Sequence, residues 1–192
     1  MSEMAVAYER HRITLEEYHR MVDAGVFNED ARIELIRGEL IAMPPIGLPH
    51  VWATDEILAI LFAKLGGKAR IRCQNPITLP DDDSEPQPDL SIARADPRRY
   101  LDHAPYPKDL LLVIEIADSS RGYDRRTKMP LYGRAGIPEA WLVDLVERVV
   151  RVYREPTAKG YASEQVFAEG ESMSPIAFPE ERFAVGDLLP PQ

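Results

Sequence analysis

The stretch Leu110 to Ile116, LLLVIEI, constrains this chain more than any other. A continuous apolar run of this length, bounded by polar segments, fits a strand buried on both faces. Such a strand sits inside a sheet and needs helices against it. The run also carries Glu115, whose neighbours in sequence are apolar. An ionised carboxylate there is costly unless it is paired, hydrogen-bonded or bound to a metal. Two readings stay open for it. It is a strand-end glutamate that reaches solvent or pairs with Arg121, Arg125 or Arg126, or it is a functional acid.

The remaining segments supply the helices and further strands. Thr14 and Glu17 have capping-box spacing, Leu15, Tyr18 and Val22 follow at helical spacing, and Gly25 ends that helix. RIELIRGELIAMPP predicts two short strands around a turn at Arg37-Gly38, stopped by Pro44 and Pro45. From His50 to Leu65 the pattern is helical, with Val51, Leu58, Leu61 and Leu65 as the apolar positions and Gly66-Gly67 as the stop. Strands are expected over about 70–79, 90–93, 140–143, 149–153 and, more weakly, 161–167. DSSRGYDRRTK opens a helix capped by Asp118, Ser119 or Ser120, and Pro130 kinks it or starts a new turn. The tail after Glu169 is acidic and Pro-rich with little periodicity. The order predicts a mixed α/β fold: a central sheet flanked by helices, with an N-terminal helix and hairpin. The 17 prolines are scattered and no linker or repeat divides the chain, so residues 1–192 are expected to form one domain.

Composition excludes several classes. Hydrophobic residues at 45% and charged residues at 29% are a globular balance. No stretch reaches the roughly 20 apolar residues of a membrane helix. The opening MSEMAVAYERHR lacks the features of a secretory or transit segment. The one cysteine, Cys73, forms neither an internal disulfide nor a cysteine zinc site and is expected to be a structural strand residue. A cytoplasmic protein is the expectation. The net charge of −9 and pI near 5.0 oppose a broad basic surface for nucleic acid. They leave room for a local basic groove or an acidic site working through a metal ion.

Asp89 follows Pro88 at the mouth of a short strand, where a turn-capping aspartate is common. Its meaning changes beside Glu115. If the two strands are neighbours, the two acids converge, and paired carboxylates attract a hard divalent cation such as Mg²⁺ or Mn²⁺. Such an ion lowers the pKa of a bound water and stabilises charge on phosphate. Lys128, on the helix after the Glu115 strand, is placed to fold back toward them, or else is a solvated helix lysine. The acidic run from Asp81 to Glu85 lacks a calcium-loop pattern and reads as a solvated turn. Arg121, Arg125, Arg126 and Arg134 form either a phosphate-contacting stripe or pairs with Asp118 and Asp124. Trp52, Tyr132 and Trp141 read as core or interface residues.

The constellation Pro88-Asp89, Glu115 in VIEIADSS and Lys128 resembles the PD-(D/E)XK nuclease superfamily. More narrowly, the chain resembles the Uma-type endonucleases of bacteria, long grouped as a domain of unknown function. The stretches that carry the likeness are IELIRGELIAMPP with His50 shortly after, EPQPDLSIA, LLLVIEIADSSRGYDRRTKMPLYGRAGIPEAWLVDL and RVVRVYRE, about residues 33–155. The resemblance implies a restriction-endonuclease-like core and metal-dependent hydrolysis of DNA phosphodiesters. Under it, Asp89 and Glu115 are metal ligands for Mg²⁺ or Mn²⁺ and Lys128 is the catalytic lysine. Glu34 matches an additional acidic position, in competition with Glu39. His50 matches the histidine of the first core helix, or simply caps that helix. Arg125 and Arg126 are the candidates for substrate contact, and Gln87 for a hydrogen-bonding role. One departure is plain: the residue two after the strand acid is Ala117, so the lysine comes from the following helix. DNA bound to so acidic a chain implies a homodimer that forms a groove. The rival reading is a non-catalytic homo-oligomeric scaffold, binding nucleic acid or protein, that keeps the fold.

Overall fold

The computed structural model describes residues 10–28 and 31–191. The opening stretch up to residue 9, read above for targeting signals, lies outside the described residues. α1 (Leu15–Asp23) begins with the expected box: the Thr14 side chain accepts from the Glu17 N–H, and Glu17 accepts in return from the Thr14 N–H. β1 (Ile33–Ile36) and β2 (Glu39–Ala42) form the hairpin, with Arg37 and Gly38 both at positive φ as a tight two-residue turn demands.

The main sheet has six strands, β3 (Arg70–Cys73), β4 (Leu90–Ala93), β5 (Leu110–Ala117), β6 (Glu139–Asp144), β7 (Val149–Thr157) and β8 (Gly160–Ala168), in that spatial order. Only β5 and β6 run parallel. Their crossover is a helical segment: α3 (Arg121–Tyr123), a π-helical turn (Asp124–Lys128) and α4 (Met129–Arg134). Pro130 explains the break. It has no N–H to offer, and the Met129 N–H reaches back to the Asp124 carbonyl, one residue beyond α-helical reach.

β5 is buried on both faces, as its sequence requires. Leu112, Ile114 and Ile116 pack with α2 (Leu48–Leu65) through Ala53, Ile57, Leu61 and Leu65. Val113 and Ala117 face the other way, toward Met129, Leu131 and Tyr132 of α4. The period of two along the strand therefore sends Glu115 to the α4 side.

Four expectations are corrected. The buried stripe of α2 is the i+4 ridge from Ala53 to Leu65, not Val51 and Leu58, which are half-buried. His50 does not cap this helix; it is buried inside its first turn, and Gly47 is the residue before the helix. The strand expected over 70–79 ends at Cys73, because Gln74 adopts positive φ and the chain turns toward other partners: Ile77 bonds Pro86 and Leu79 bonds Ser84. The acidic turn is not merely solvated. Asp83 accepts from the Leu15 N–H at the start of α1, Asp82 pairs with Arg134 at 3.2 Å, and Glu85 pairs with His19 at 2.7 Å.

The tail is also better anchored than its composition implies. β9 (Ser172–Met173) pairs with β10 (Phe183–Ala184), and Met173, Phe183, Val185, Leu188 and Leu189 join the α2-side core. Phe183 meets Trp141 edge-on at 5.4 Å. Beneath the tail lies Glu139, fully buried, accepting from Trp141 Nε1, from both Nε and Nη2 of Arg154, and from the Ile176 N–H.

Candidate active site

Sheet register brings the two separated acids together. Leu90 faces Ile114 across the antiparallel β4–β5 pair, so Asp89 arrives level with Glu115 and on the same face. Asp89 Oδ2 accepts from the Ile116 N–H at 2.8 Å and from His50 Nε2 at 3.1 Å. Thr54, one turn along α2, donates to the His50 carbonyl and lies 3.3 Å from His50 Nδ1, which fixes the ring.

Lys128 turns inward from the π-helical turn. Its Nζ donates to Glu34 Oε1 at 2.9 Å and stands 3.2 Å from Glu115 Oε1. Glu115 Oε1 also accepts from the Tyr132 hydroxyl at 2.5 Å. Lys128 and Tyr132 are four residues apart on one helical face, so both reach the same oxygen. Glu34, fully buried on β1, takes a further bond from the Gln87 N–H at 2.7 Å. Gln87 thus works through its backbone. Glu39, the competitor to Glu34, is exposed.

Each of the three carboxylates therefore has one oxygen tied to protein donors. Among the described residues no hydrogen bond reaches Asp89 Oδ1 or Glu115 Oε2, and Glu34 Oε2 is buried without a partner. All three side chains line one pocket of about 260 Å³ together with His50, Asp124 and Lys128.

The electrostatics reflect crowded negative charge. Burial pushes the Glu115 carboxyl well above the usual range; Lys128 opposes this, while Asp89, Asp124 and Glu34 reinforce it. Burial works against charge on Lys128, but Glu115, Glu34 and Asp124 outweigh it and hold its ammonium well above the ordinary value. Asp124 is lifted to about 6, mainly by burial, against a hydrogen bond from Ser120. Burial also lowers the tendency of His50 to protonate, yet its bond to Asp89 carries the net shift upward. The cluster holds protons that isolated groups would release, the response of a site with surplus negative charge.

The residues fit a hard divalent cation held through few protein ligands. Among the described residues no group of three or more His, Cys, Asp and Glu side chains is placed to hold an ion. That argues against an all-protein cage. Two carboxylates with bare oxygens on an open pocket match an ion that completes its shell with waters, as Mg²⁺ does.

The sequence candidates Asp89, Glu115, Lys128, Glu34 and His50 all meet here. The arginines do not. Arg125 pairs with Glu164 of β8 at 3.2 Å, and neither it nor Arg126 lines the pocket. Arg121 pairs with Glu147, and Arg134 with Asp82, so the pairing partners lie on β8 and in loops rather than at Asp118 and Asp124. The lining cation other than Lys128 is Arg32. Sequence reading missed Arg32, Asp124 and the polar role of Tyr132. The K-x-x-x-Y spacing of Lys128 and Tyr132 was the available signal for the last.

A mixed sheet with one parallel pair, helices on both faces and an acid-rich pocket where β4 begins and β5 ends define a restriction-endonuclease-like fold. A solved structure with that architecture, titled a "putative nuclease belonging to DUF820" from Anabaena variabilis, superposes with a TM-score of 0.72 at 21% identity, covering 92% of this chain and 97% of that one. The family model Uma2, described as "putative restriction endonuclease", matches residues 15–186, and the chain belongs to that family. No curated protein matches it.

Proposed function

We propose that this chain is a metal-dependent endonuclease acting on DNA, working as a single domain in a cytoplasmic homodimer. Among the described residues no helix is long and apolar enough to cross a membrane. The observation that carries the reading is the convergence of Asp89, Glu115, Glu34, His50 and Lys128 in one pocket from separate elements. Family membership supports a nuclease over a scaffold that merely keeps the fold.

In this reading Asp89 and Glu115 would hold Mg²⁺ or Mn²⁺. The ion, when bound, supplies an acidified water and a counter-charge to the phosphate. His50 and the Ile116 N–H keep Asp89 aimed into the pocket. Tyr132 does the same for Glu115. The carboxylates around Lys128 hold its ammonium well above the ordinary value, which suits it to stabilising charge that develops on the phosphate. Its ammonium donates to Glu34 and lies 3.2 Å from Glu115.

The test is cleavage of plasmid and single-stranded DNA at low salt with Mg²⁺, Mn²⁺ or EDTA, beside Asp89→Asn and Glu115→Gln. Metal-dependent cleavage by the wild type, abolished in both folded variants, is expected. Cleavage that survives both substitutions would put the chemistry elsewhere. No cleavage with either metal on either DNA would favour the scaffold.

A further inference from the structure

The surroundings of the pocket bear on the form of its substrate. A double helix is gripped through many phosphates, typically by six to ten lysine or arginine contacts. Three of the arginines are already engaged. Arg121 is paired with Glu147, and Arg125 and Arg151 share Glu164. At the pocket itself the cations are Arg32 and the buried Lys128, set against Glu34, Asp89, Glu115, Asp118 and Asp124. Charge on this face therefore suits one phosphate and opposes two continuous backbones.

The other wall is apolar. Residues 43–47, Met-Pro-Pro-Ile-Gly, line the pocket, and Ile46 is 39% exposed. Leu48 follows in sequence and is 84% exposed. Pro44, Pro45 and Pro49 restrict the backbone of this lip. A rigid apolar edge next to one arginine matches an unpaired nucleotide, whose base lies on apolar surface while its phosphate meets a cation.

Resting on the nuclease reading above, we propose that the site takes DNA as an unpaired strand. The base lies against the lip formed by residues 43–48, and Arg32 meets the adjoining phosphate. Single strands, bubbles and frayed ends are then substrates, and intact duplex is a poor one.

Fluorescence anisotropy tests this with a labelled single strand, the matching duplex, and a duplex with a central bubble, using Ca²⁺ in place of Mg²⁺. The single strand and the bubble are expected to bind about tenfold or more tightly than duplex. Ile46→Ser and Leu48→Ser should each weaken single-strand binding by about five- to tenfold, the scale of losing part of a base contact. Melting temperatures should not move for Leu48→Ser, since the side chain is exposed. Salt dependence should be shallow, with a slope of roughly −0.7 for each phosphate contacted and few contacts. Duplex bound as tightly as single strand, or lip variants that bind like wild type, would overturn the proposal. If duplex is bound and cut in a metal-dependent way that Glu115→Gln abolishes, the lip proposal falls and the nuclease reading stands. If no DNA of any form is bound or cut, both fall.

Discussion

Replacing Lys128 by Met removes one positive charge from among Glu34, Glu115 and Asp124 while keeping an unbranched apolar stem. Lys128 is 5% exposed, and its two carboxylate partners are equally inaccessible. Stripping one partner from a buried ion pair destabilises by about 3–5 kcal/mol. The lower end applies here, because burial and the neighbouring acids already push the Glu115 carboxyl upward, so it can relieve part of the repulsion by taking up a proton once Lys128 is gone. For a chain of 192 residues about 3 kcal/mol lowers the melting temperature by roughly 6–12 °C. The assay is thermal unfolding by circular dichroism, first in EDTA and then across a Mg²⁺ series. A cation bound only to the folded state adds about 2.7 kcal/mol at a hundred times its Kd. Mg²⁺ should therefore raise both melting temperatures and raise that of Lys128→Met more, because the variant has more unbalanced negative charge. The variant should cut DNA no better than background even when Mg²⁺ has restored its fold. A Lys128→Met protein that melts with wild type in EDTA would refute the neutralising role. Mg²⁺ that shifts neither protein would refute cation binding by the acids.

Asp124 offers a test by pH. Its carboxyl is held at about 6, above its ordinary range, so the folded chain keeps that proton more tightly than the unfolded chain does. In metal-free protein its contribution to stability falls as pH rises from about 4 to 6, and Asp124→Asn should flatten that segment of the melting profile. Away from the site, Glu139→Ala should destabilise by about 3 kcal/mol in urea unfolding, since it strands the buried Trp141 donor, releases the Ile176 N–H and frees Arg154. A Cβ at Gly133 would lie 2.4 Å from the Gly160 carbonyl carbon and 2.6 Å from the Tyr161 nitrogen. Gly133→Ala should thus push α4 off β8, with a loss of roughly 1–3 kcal/mol in unfolding and a drop in cleavage, because α4 carries Tyr132.

The sheet was readable because each strand announces itself locally. LLLVIEIA cannot be covered except from both sides, and Arg37-Gly38 fixes the hairpin register. The pairing of Asp89 with Glu115 was an inference about neighbouring strands, and the register of Leu90 on Ile114 bears it out. What stayed hidden depends on contacts distant in sequence. Nothing near Asp83 reveals that its carboxylate meets the Leu15 N–H. Arg125 looks like a phosphate contact until β8 brings Glu164 beside it. The tail lacks periodicity because its buried residues sit on irregular backbone, so Phe183 and Leu188 give no repeating signal. Tyr132 looked like core because it is core, and its hydroxyl bond to Glu115 appears only once the fold sets the rotation of that helix.

The single-sided use of the three carboxylates has a thermodynamic consequence. Asp89, Glu115 and Glu34 are each pinned through one oxygen before anything binds. Their rotamers are frozen by the fold, at the moment of folding, rather than by the incoming ion. Association then forfeits little side-chain entropy, and affinity reflects the bare oxygens almost undiminished. A cation held as proposed above would meet a preorganised receptor.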